Sequence, residues 1–311
     1  MLRSTFLYLS RQPSIFKFVR RNRLARAFAR RFVAGETADE AIAAVRALNA
    51  KGITASLDLL GESVTNEAEA RAAGDAYLDL LNRIEKSGVD ANVSLKLTQM
   101  GMDLNEDLCV DIVGKVLVKA KKMSSFVRLD MESSAYTQRT LDLFGNRLYP
   151  PYSANVGIVL QSMLRRTSAD VDRAIAQRAR VRLCKGAYLE PATVAFPDKK
   201  DVDANYITCM QALLERGNYP GIATHDERII QETIRFAKEK NISADRFEFQ
   251  MLYGVRRDLQ EQLVRDGWRM RVYVPFGTQW YPYLMRRLAE RPANVAFIMG
   301  NVVRETFSRK S

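Results

Sequence analysis

The chain has 311 residues with a formal net charge of +12; 47% of its residues are apolar and 27% are charged. This composition is that of a globular protein and excludes disordered or collagen-like chains, and the absence of an 18-residue apolar run excludes a transmembrane helix. Three widely spaced cysteines and a single histidine exclude a disulfide framework, a cysteine zinc site and a two-histidine metal site, so we expect no metal and a cytoplasmic, reducing compartment.

The positive charge is concentrated at the amino terminus. Nine basic residues precede Glu36 with no acidic residue among them. The other 39 basic residues (48 less 9) nearly balance 36 acidic ones, which leaves +3 for the rest of the chain.

Residues 1–50 are predicted to form a basic helical arm, because apolar residues recur at helical spacing in its first part: Ile15, Val19, Leu24, Phe28 and Phe32. Three interpretations stay open for the arm: a helix on an anionic membrane surface, an arginine-rich transit peptide, or a helix packed on the body with a solvated face.

Eight apolar runs of strand length follow the arm, at residues 53–60, 91–97, 126–132, 155–161, 181–186, 221–226, 246–252 and 269–276. Helical patterns lie between them, at residues 66–86, 107–121, 136–144, 169–179, 204–216, 227–240 and 259–266. Strands that alternate with helices pair in parallel, so residues 51–311 are predicted to form an α/β fold of the (β/α)8 TIM-barrel type. A doubly wound open sheet is the alternative, but no GxGxxG motif follows the first strand.

Polar residues cluster where the predicted strands end, which is where barrel enzymes hold their chemistry. They are Lys96, Asp130, Glu132, Gln161, Arg182, Lys185, Tyr188, Thr224, His225, Asp226, Glu248, Gln250, Arg271 and Tyr273. A buried charge costs several kcal/mol unless it is paired, so these groups should pair with one another or meet a ligand. Simpler interpretations are a structural Lys96–Asp130 ion pair and an outward-facing Arg271.

The last predicted helix carries an adjacent pair of arginines. Tyr283, Arg286, Arg287 and Glu290 stand at i, i+3, i+4 and i+7 and share one face. Two guanidinium groups beside a tyrosine can clamp a carboxylate through paired hydrogen bonds, and Glu290 is placed to hold Arg286. A solvated charged face is the alternative interpretation.

Together these segments resemble the proline dehydrogenase family over residues 50–303. The motifs that carry the resemblance are SLKLTQ, VRLDMES, VGIVLQ, RLCKGAYLEP, ATHD, FEFQMLYG, VYVPFG and YPYLMRRLAERPAN. The resemblance implies a distorted (β/α)8 barrel, non-covalent FAD, and transfer of hydride from proline C5 to flavin N5, which yields Δ1-pyrroline-5-carboxylate.

The resemblance also implies a role for each matching residue. The catalytic set is Lys96, Asp130, Arg182 and Tyr273, in which Asp130 orients Lys96 and Tyr273 and Arg182 lies near flavin N5. The substrate-binding set is Lys96, Tyr188, Leu252, Tyr273, Tyr283, Arg286, Arg287 and Glu290. The cofactor-binding set is Gln161, Arg182, Lys185, Gly186, Ala187, Thr224, His225 and Gln250.

The implied partners are L-proline, a membrane quinone that accepts the electrons, and a separate dehydrogenase for pyrroline-5-carboxylate, with peripheral membrane contact through the arm. Two rival functions stay open. One is a Schiff-base aldolase that uses Lys96 or Lys185 at a depressed pKa. The other is a membrane- or nucleic-acid-binding protein that acts through the arm.

Overall fold

The structure is a computed structural model that describes residues 29–61 and 63–290, with side chains as far as Met285. The first 28 residues of the predicted arm lie outside the described part. Among the described residues, no helix is long and apolar enough to cross a membrane.

Eight parallel strands close into one barrel in sequence order, each paired with its neighbours and β1 with β8. They are β1 (Thr54–Leu59), β2 (Ala91–Leu95), β3 (Val127–Leu129), β4 (Val156–Gln161), β5 (Arg180–Cys184), β6 (Gly221–Ala223), β7 (Glu248–Leu252) and β8 (Met270–Phe276). This confirms the predicted (β/α)8 barrel and excludes the open sheet. All eight strands are shorter than the predicted runs, β3 and β6 most of all, because the polar residues after Leu129 and Ala223 leave the ladder and turn into the loops.

Ten α-helices accompany the strands in the described part of the chain: α1 (Ala38–Asn49), α2 (Glu67–Ser87), α3 (Glu106–Lys122), α4 (Ser134–Leu143), α5 (Tyr149–Tyr152), α6 (Thr167–Ala176), α7 (Lys199–Arg216), α8 (Glu227–Glu239), α9 (Arg257–Arg265) and α10 (Trp280–Glu290). A π-helical turn, Phe144–Leu148, joins α4 to α5. Every predicted helix of the barrel is present.

The barrel is distorted at its first and last helices. Helix α1 begins at a capping box formed by Thr37 and Glu40, and it packs against β1 and β8. It therefore fills the position that the helix after β8 occupies in a regular barrel. Helix α10 instead packs with Leu60, at the carboxyl end of β1, and with residues 29–33. Trp280 of α10 donates its indole N–H to Glu36 over 3.0 Å.

The two faces of the strands differ sharply in polarity. Residues that point outward to the helices are apolar and buried, such as Leu57, Val93 and Val272. Alternate residues point into the barrel and are largely polar: Ser56, Asp58, Ser94, Arg128, Arg182, Glu248, Gln250, Arg271 and Tyr273. The period of two along a strand separates the two sets.

The expectation that Arg271 faces outward was wrong. Arg271 and Tyr273 are two residues apart, so they share a face, and both side chains lie inside the barrel. Arg271 Nε donates to Glu248 over 2.8 Å, and its side chain is 14% exposed.

Candidate active site

The carboxyl ends of β1 and β2 hold a buried ion pair. Lys96 Nζ lies 2.9 Å from Asp58 Oδ1, and the Asp58 side chain is 1% exposed. Lys96 makes no ion pair with Asp130 among the described contacts, which corrects the expected Lys96–Asp130 pair. Sequence reasoning missed Asp58, although its alternation with Leu57 and Leu59 signalled an inward-facing carboxylate.

Asp130, which follows β3, connects two other strands across the barrel. Its Oδ1 accepts from Arg182 Nη1 over 2.8 Å, and its Oδ2 accepts from the Tyr273 hydroxyl over 2.7 Å. The Arg182 guanidinium also lies 5.2 Å from the centre of the Tyr273 ring. Asp130 therefore bonds to Arg182 and Tyr273, and it makes no ion pair with Lys96 among the described contacts.

The Gln250 side chain fixes Arg182 through a hydrogen bond. Arg182 Nε donates to Gln250 Oε1 over 2.5 Å, and Gln250 Nε2 donates to Glu248 over 2.6 Å. Both polar ends of Gln250 are thus bound to protein groups, so its direct action is to position Arg182. A continuous chain of hydrogen bonds runs from Arg271 through Glu248, Gln250 and Arg182 to Asp130.

The charges around Lys96 keep it protonated. Burial alone would lower its pKa, but the carboxylates of Asp58 and Asp130 outweigh burial and raise the pKa of Lys96 above its usual value. A Schiff-base lysine needs the neutral amine, so this environment opposes the aldolase chemistry that was considered for Lys96.

Tyr273 is kept as a neutral phenol. Burial and the nearby carboxylate of Asp130 raise the pKa of Tyr273 well above its usual value. Its hydroxyl is a hydrogen-bond donor to Asp130, which fixes the ring against Arg182.

The carboxyl ends of β5 and β6 form a second ionic cluster. Lys185 Nζ lies 2.5 Å from Asp203 and 2.8 Å from Asp226. Partial burial alone would raise the pKa of Asp226, but the hydrogen bond from Lys185 and the charges of Lys185 and Lys199 lower this pKa to about 2. The other aldolase candidate, Lys185, is therefore committed to two carboxylates.

Thr224, His225 and Gln161 complete this side of the mouth. The Thr224 hydroxyl accepts from the backbone N–H of Asp226, and His225 Nε2 accepts from the backbone N–H of Leu252 over 2.9 Å. That bond places the proton of a neutral His225 ring on Nδ1. Gln161 Nε2 donates to the carbonyl of Glu132 over 2.8 Å.

The loop after β5 brings its backbone close to Met163. Gly186 has a φ of +105°, and a Cβ at that position would lie 2.4 Å from Met163 Sδ. Any side chain there would be strained and would clash, so Gly186 keeps this loop tight against the strand ends. Ala187 follows it and is half-buried.

The remaining predicted residues lie around the same mouth. Tyr188 packs against Met163 and Leu164 and acts electrostatically on Lys96. Leu252 ends β7 and is half-buried, and Tyr283 on α10 is buried among the residues that join α10 to Leu60. The side chains of Arg286, Arg287 and Glu290 lie outside the described residues.

The mouth therefore divides into two halves. Strands β8, β1, β2 and β3 bring together Tyr273, Asp58, Lys96 and Asp130. Strands β4 to β7 bring together Gln161, Lys185, Thr224 and His225. The bond between Arg182 and Asp130 joins the two halves. At neighbouring strand ends the second half places an ammonium (Lys185), an amide (Gln161) and a hydroxyl (Thr224), and each has one N–H or O–H beyond the bonds described above. This donor set fits the polar ring and phosphates of the flavin nucleotide that the motifs imply, so these residues could hold such a cofactor.

Comparison with known proteins gives a consistent result. The family described as Proline dehydrogenase matches residues 41–299. The chain is 40% identical to Proline dehydrogenase 1 of Bacillus subtilis subsp. natto over 98% of this chain and 100% of that protein. It is 41% identical to a Proline dehydrogenase of Deinococcus radiodurans over 98% of each.

A solved structure shares the fold. Proline utilization A (PutA) from Bdellovibrio bacteriovorus, inactivated by N-propargylglycine, superposes with a TM-score of 0.81 at 28% identity. The match covers 89% of this chain, which spans about a third (34%) of the PutA chain.

Proposed function

Because this chain belongs to the proline dehydrogenase family, we propose that it binds FAD non-covalently and oxidises L-proline to Δ1-pyrroline-5-carboxylate. FAD would supply the N5 atom that accepts hydride from proline C5. The observation that carries the proposal is the carboxylate of Asp130, which holds Arg182 and Tyr273 together where the two halves of the mouth meet.

The substrate carboxylate is assigned to a cationic subsite. Arg286 and Arg287 on α10 would clamp it with paired hydrogen bonds, and Glu290 would brace them. Lys96 adds a charge that persists at neutral and alkaline pH, because Asp58 and Asp130 raise its pKa. These groups hold proline in one orientation, and such positioning can contribute several kcal/mol to catalysis.

The ring of proline is assigned to an aromatic and aliphatic enclosure. Tyr188, Leu252, Tyr273 and Tyr283 would surround it and exclude water. Tyr273 stays protonated, and its hydroxyl donates a hydrogen bond to Asp130. Tyr273 therefore contributes by packing against the proline ring and fixing its position. The proline amine must lose its proton before C5 can release hydride, so it should bind in the neutral form or lose its proton in the site.

Arg182 is assigned to charge stabilisation beside the flavin. Three groups fix its guanidinium: Asp130, Gln250 and the Ser56 hydroxyl at 3.4 Å. A fixed positive charge favours negative charge that develops on a neighbouring ring system, and no reorganisation is needed at the moment of reaction. Gln161, Lys185, Gly186, Ala187, Thr224 and His225 would line the rest of the cofactor.

We extend the proposal to the fate of the electrons and the product. A membrane quinone would take the electrons, and a separate dehydrogenase would take pyrroline-5-carboxylate. The basic arm is the segment suited to an anionic bilayer. Deletion of residues 1–28 should leave activity with a soluble acceptor unchanged and reduce activity with quinone in anionic vesicles. If the truncated chain is as active as the full chain with quinone in anionic vesicles, the membrane contact is contradicted.

The carboxylate clamp is tested by proline binding. Arg286→Ala and Arg287→Ala should each weaken proline affinity by about 2–5 kcal/mol, because a carboxylate partner is removed. Arg265→Ala, at the end of α9, is the control with the same charge change. Unchanged proline affinity in both α10 variants would remove the clamp from the mechanism.

A further inference from the structure

The amino-terminal end of the barrel, opposite the candidate active site, contains a cavity of about 440 Å³. Its lining includes Asn92, Phe126, Arg128, Arg180, Tyr219 and Glu248. The volume falls in the range of small-molecule sites. Glu248 supports Arg182 indirectly through Gln250, and the other residues named here have no part in the proposed reaction.

Arg128 is the most unusual group in this cavity. It is 4% exposed, and its Nη1 donates to the carbonyls of Arg180 over 2.6 Å and Ile158 over 3.2 Å. Its buried Nε has no hydrogen-bond acceptor among the described residues. No carboxylate contacts this guanidinium in the described part of the chain, although a buried charge without a partner is costly.

Arg180 presents a second guanidinium to the same cavity. It lies between two rings, 5.2 Å from the centre of Phe126 and 5.4 Å from that of Tyr219. The Arg128 guanidinium also lies over the Phe126 ring, 4.8 Å from its centre, so one aromatic ring contacts both guanidinium groups. Within the described residues, the Arg180 side chain makes no ion pair, and its donors remain available to a ligand.

Two of the three carboxylates that line the cavity are committed elsewhere. Glu248 accepts from Arg271 and from the Tyr219 hydroxyl, and Glu85 pairs with Lys119. The third, Asp90, is exposed and makes no ion pair within the described residues. Among the described residues, none of these three carboxylates contacts the guanidinium of Arg128 or Arg180.

The positive character extends outward from the cavity. Arg180 and Tyr219 also line an adjoining groove that contains Arg178, Arg216 and Arg246. Its one acidic lining residue, among those described, is Asp245. Arg216 pairs with Asp172, whereas the exposed Arg178 and Arg246 attract an anion that approaches through this groove toward Arg180 and Arg128.

We propose that the amino-terminal mouth of the barrel is a binding site for a small, multiply charged oxyanion, held between Arg128 and Arg180. Planar guanidinium groups bind phosphate and carboxylate through paired hydrogen bonds, and both chemistries satisfy the donors seen here. The anion would also neutralise the buried Arg128 charge. The site lies across the barrel from the mouth assigned to proline, so it does not depend on the proposed function.

Calorimetric titration of the full chain with inorganic phosphate, and separately with succinate, in low-salt buffer without proline tests the site. Saturable binding at one site per chain is expected for at least one anion. The tighter-binding anion identifies the ligand as a phosphate or a carboxylate. Saturation should also raise the melting temperature by a few degrees, since a ligand that binds the native state stabilises it.

Two variants and a control make the assignment specific. Arg180→Gln and Arg128→Met should each weaken anion binding at least tenfold. Arg257→Gln removes an exposed arginine that stacks on Tyr253, and it should bind the anion like the parent chain. Thermal melting verifies that each variant is folded. Absence of saturable binding of both anions, parental affinity in both mouth variants, or an equal loss in the control would overturn the proposal.

Discussion

Arg182 and Arg128 are both buried inside the same barrel, yet their surroundings differ. Arg182, toward the carboxyl end, contacts Asp130, Gln250 and Ser56. Arg128, toward the amino end, contacts two backbone carbonyls and leaves Nε without an acceptor among the described residues. The Arg182 guanidinium is fixed by side-chain partners and can act on a bound reactant. The Arg128 guanidinium keeps an unused donor, which a bound ligand could satisfy.

The largest expected effect comes from breaking the Arg182 side of this comparison. Asp130→Asn removes the charge that holds Arg182 and replaces one of the two acceptor oxygens shared by Arg182 and Tyr273 with an NH2 donor, so proline oxidation should fall by roughly a hundredfold or more. Steady-state kinetics measure the loss. Asp142→Asn, at an exposed carboxylate that accepts from Gln138, is the control and should retain activity. Activity of Asp130→Asn within threefold of the parent would contradict the assigned role.

Replacing each arginine by methionine compares the two surroundings in stability. Arg182→Met leaves the carboxylate of Asp130 without its charged partner, so the free energy of unfolding should fall by about 3 kcal/mol. Arg128→Met leaves no carboxylate behind, and we expect a change within about 1 kcal/mol. Urea unfolding of both variants gives the two values. A larger loss for Arg128→Met than for Arg182→Met would reverse the comparison.

A smaller effect is expected from pH. The pKa of Asp226 is lowered to about 2 by its cationic neighbours, so its carboxylate stabilises the fold at pH above about 4. This stabilisation should be lost as pH falls toward 2. Since Asp226 is partly exposed, its contribution is at most about 2 kcal/mol. Asp226→Asn should therefore be less stable than the parent at pH 7, with a difference that shrinks at pH 3; a difference that does not change with pH would contradict this.

The smallest effect concerns how α10 is attached. Trp280→Phe removes the indole donor to Glu36 but keeps most of the apolar contact, so the free energy of unfolding should fall by about 1 kcal/mol. Glu36→Gln keeps an acceptor and should lose less. Equal losses in the two variants would indicate that the hydrogen bond itself contributes little.

Much of the fold could be predicted from the sequence because each strand and helix carries its own pattern of apolar residues. Eight strands, their parallel pairing and the polar carboxyl ends follow from periods of 2 and 3.6 residues. The sequence did not predict that α1 takes the place of the helix after β8. Which helix packs on β8 depends on tertiary contacts, and the apolar pattern of a single helix does not specify them.

Side-chain partners were harder to predict than their positions. Lys96 and Asp130 both lie at the ends of neighbouring strands, yet each bonds to a residue on another strand, Asp58 for Lys96 and Arg182 for Asp130. Strand order gives proximity, whereas pairing depends on barrel stagger and side-chain length. Alternation along β1 would have identified Asp58 as inward-facing, and alternation along β8 would have done the same for Arg271.

Anaerobic titration of the purified protein with L-proline is the most direct test of the central claim. The account predicts that the protein shows the absorbance of oxidised flavin and that proline bleaches it, with one flavin reduced for each proline consumed. A protein that binds no flavin, or whose flavin remains oxidised in excess proline, would contradict it.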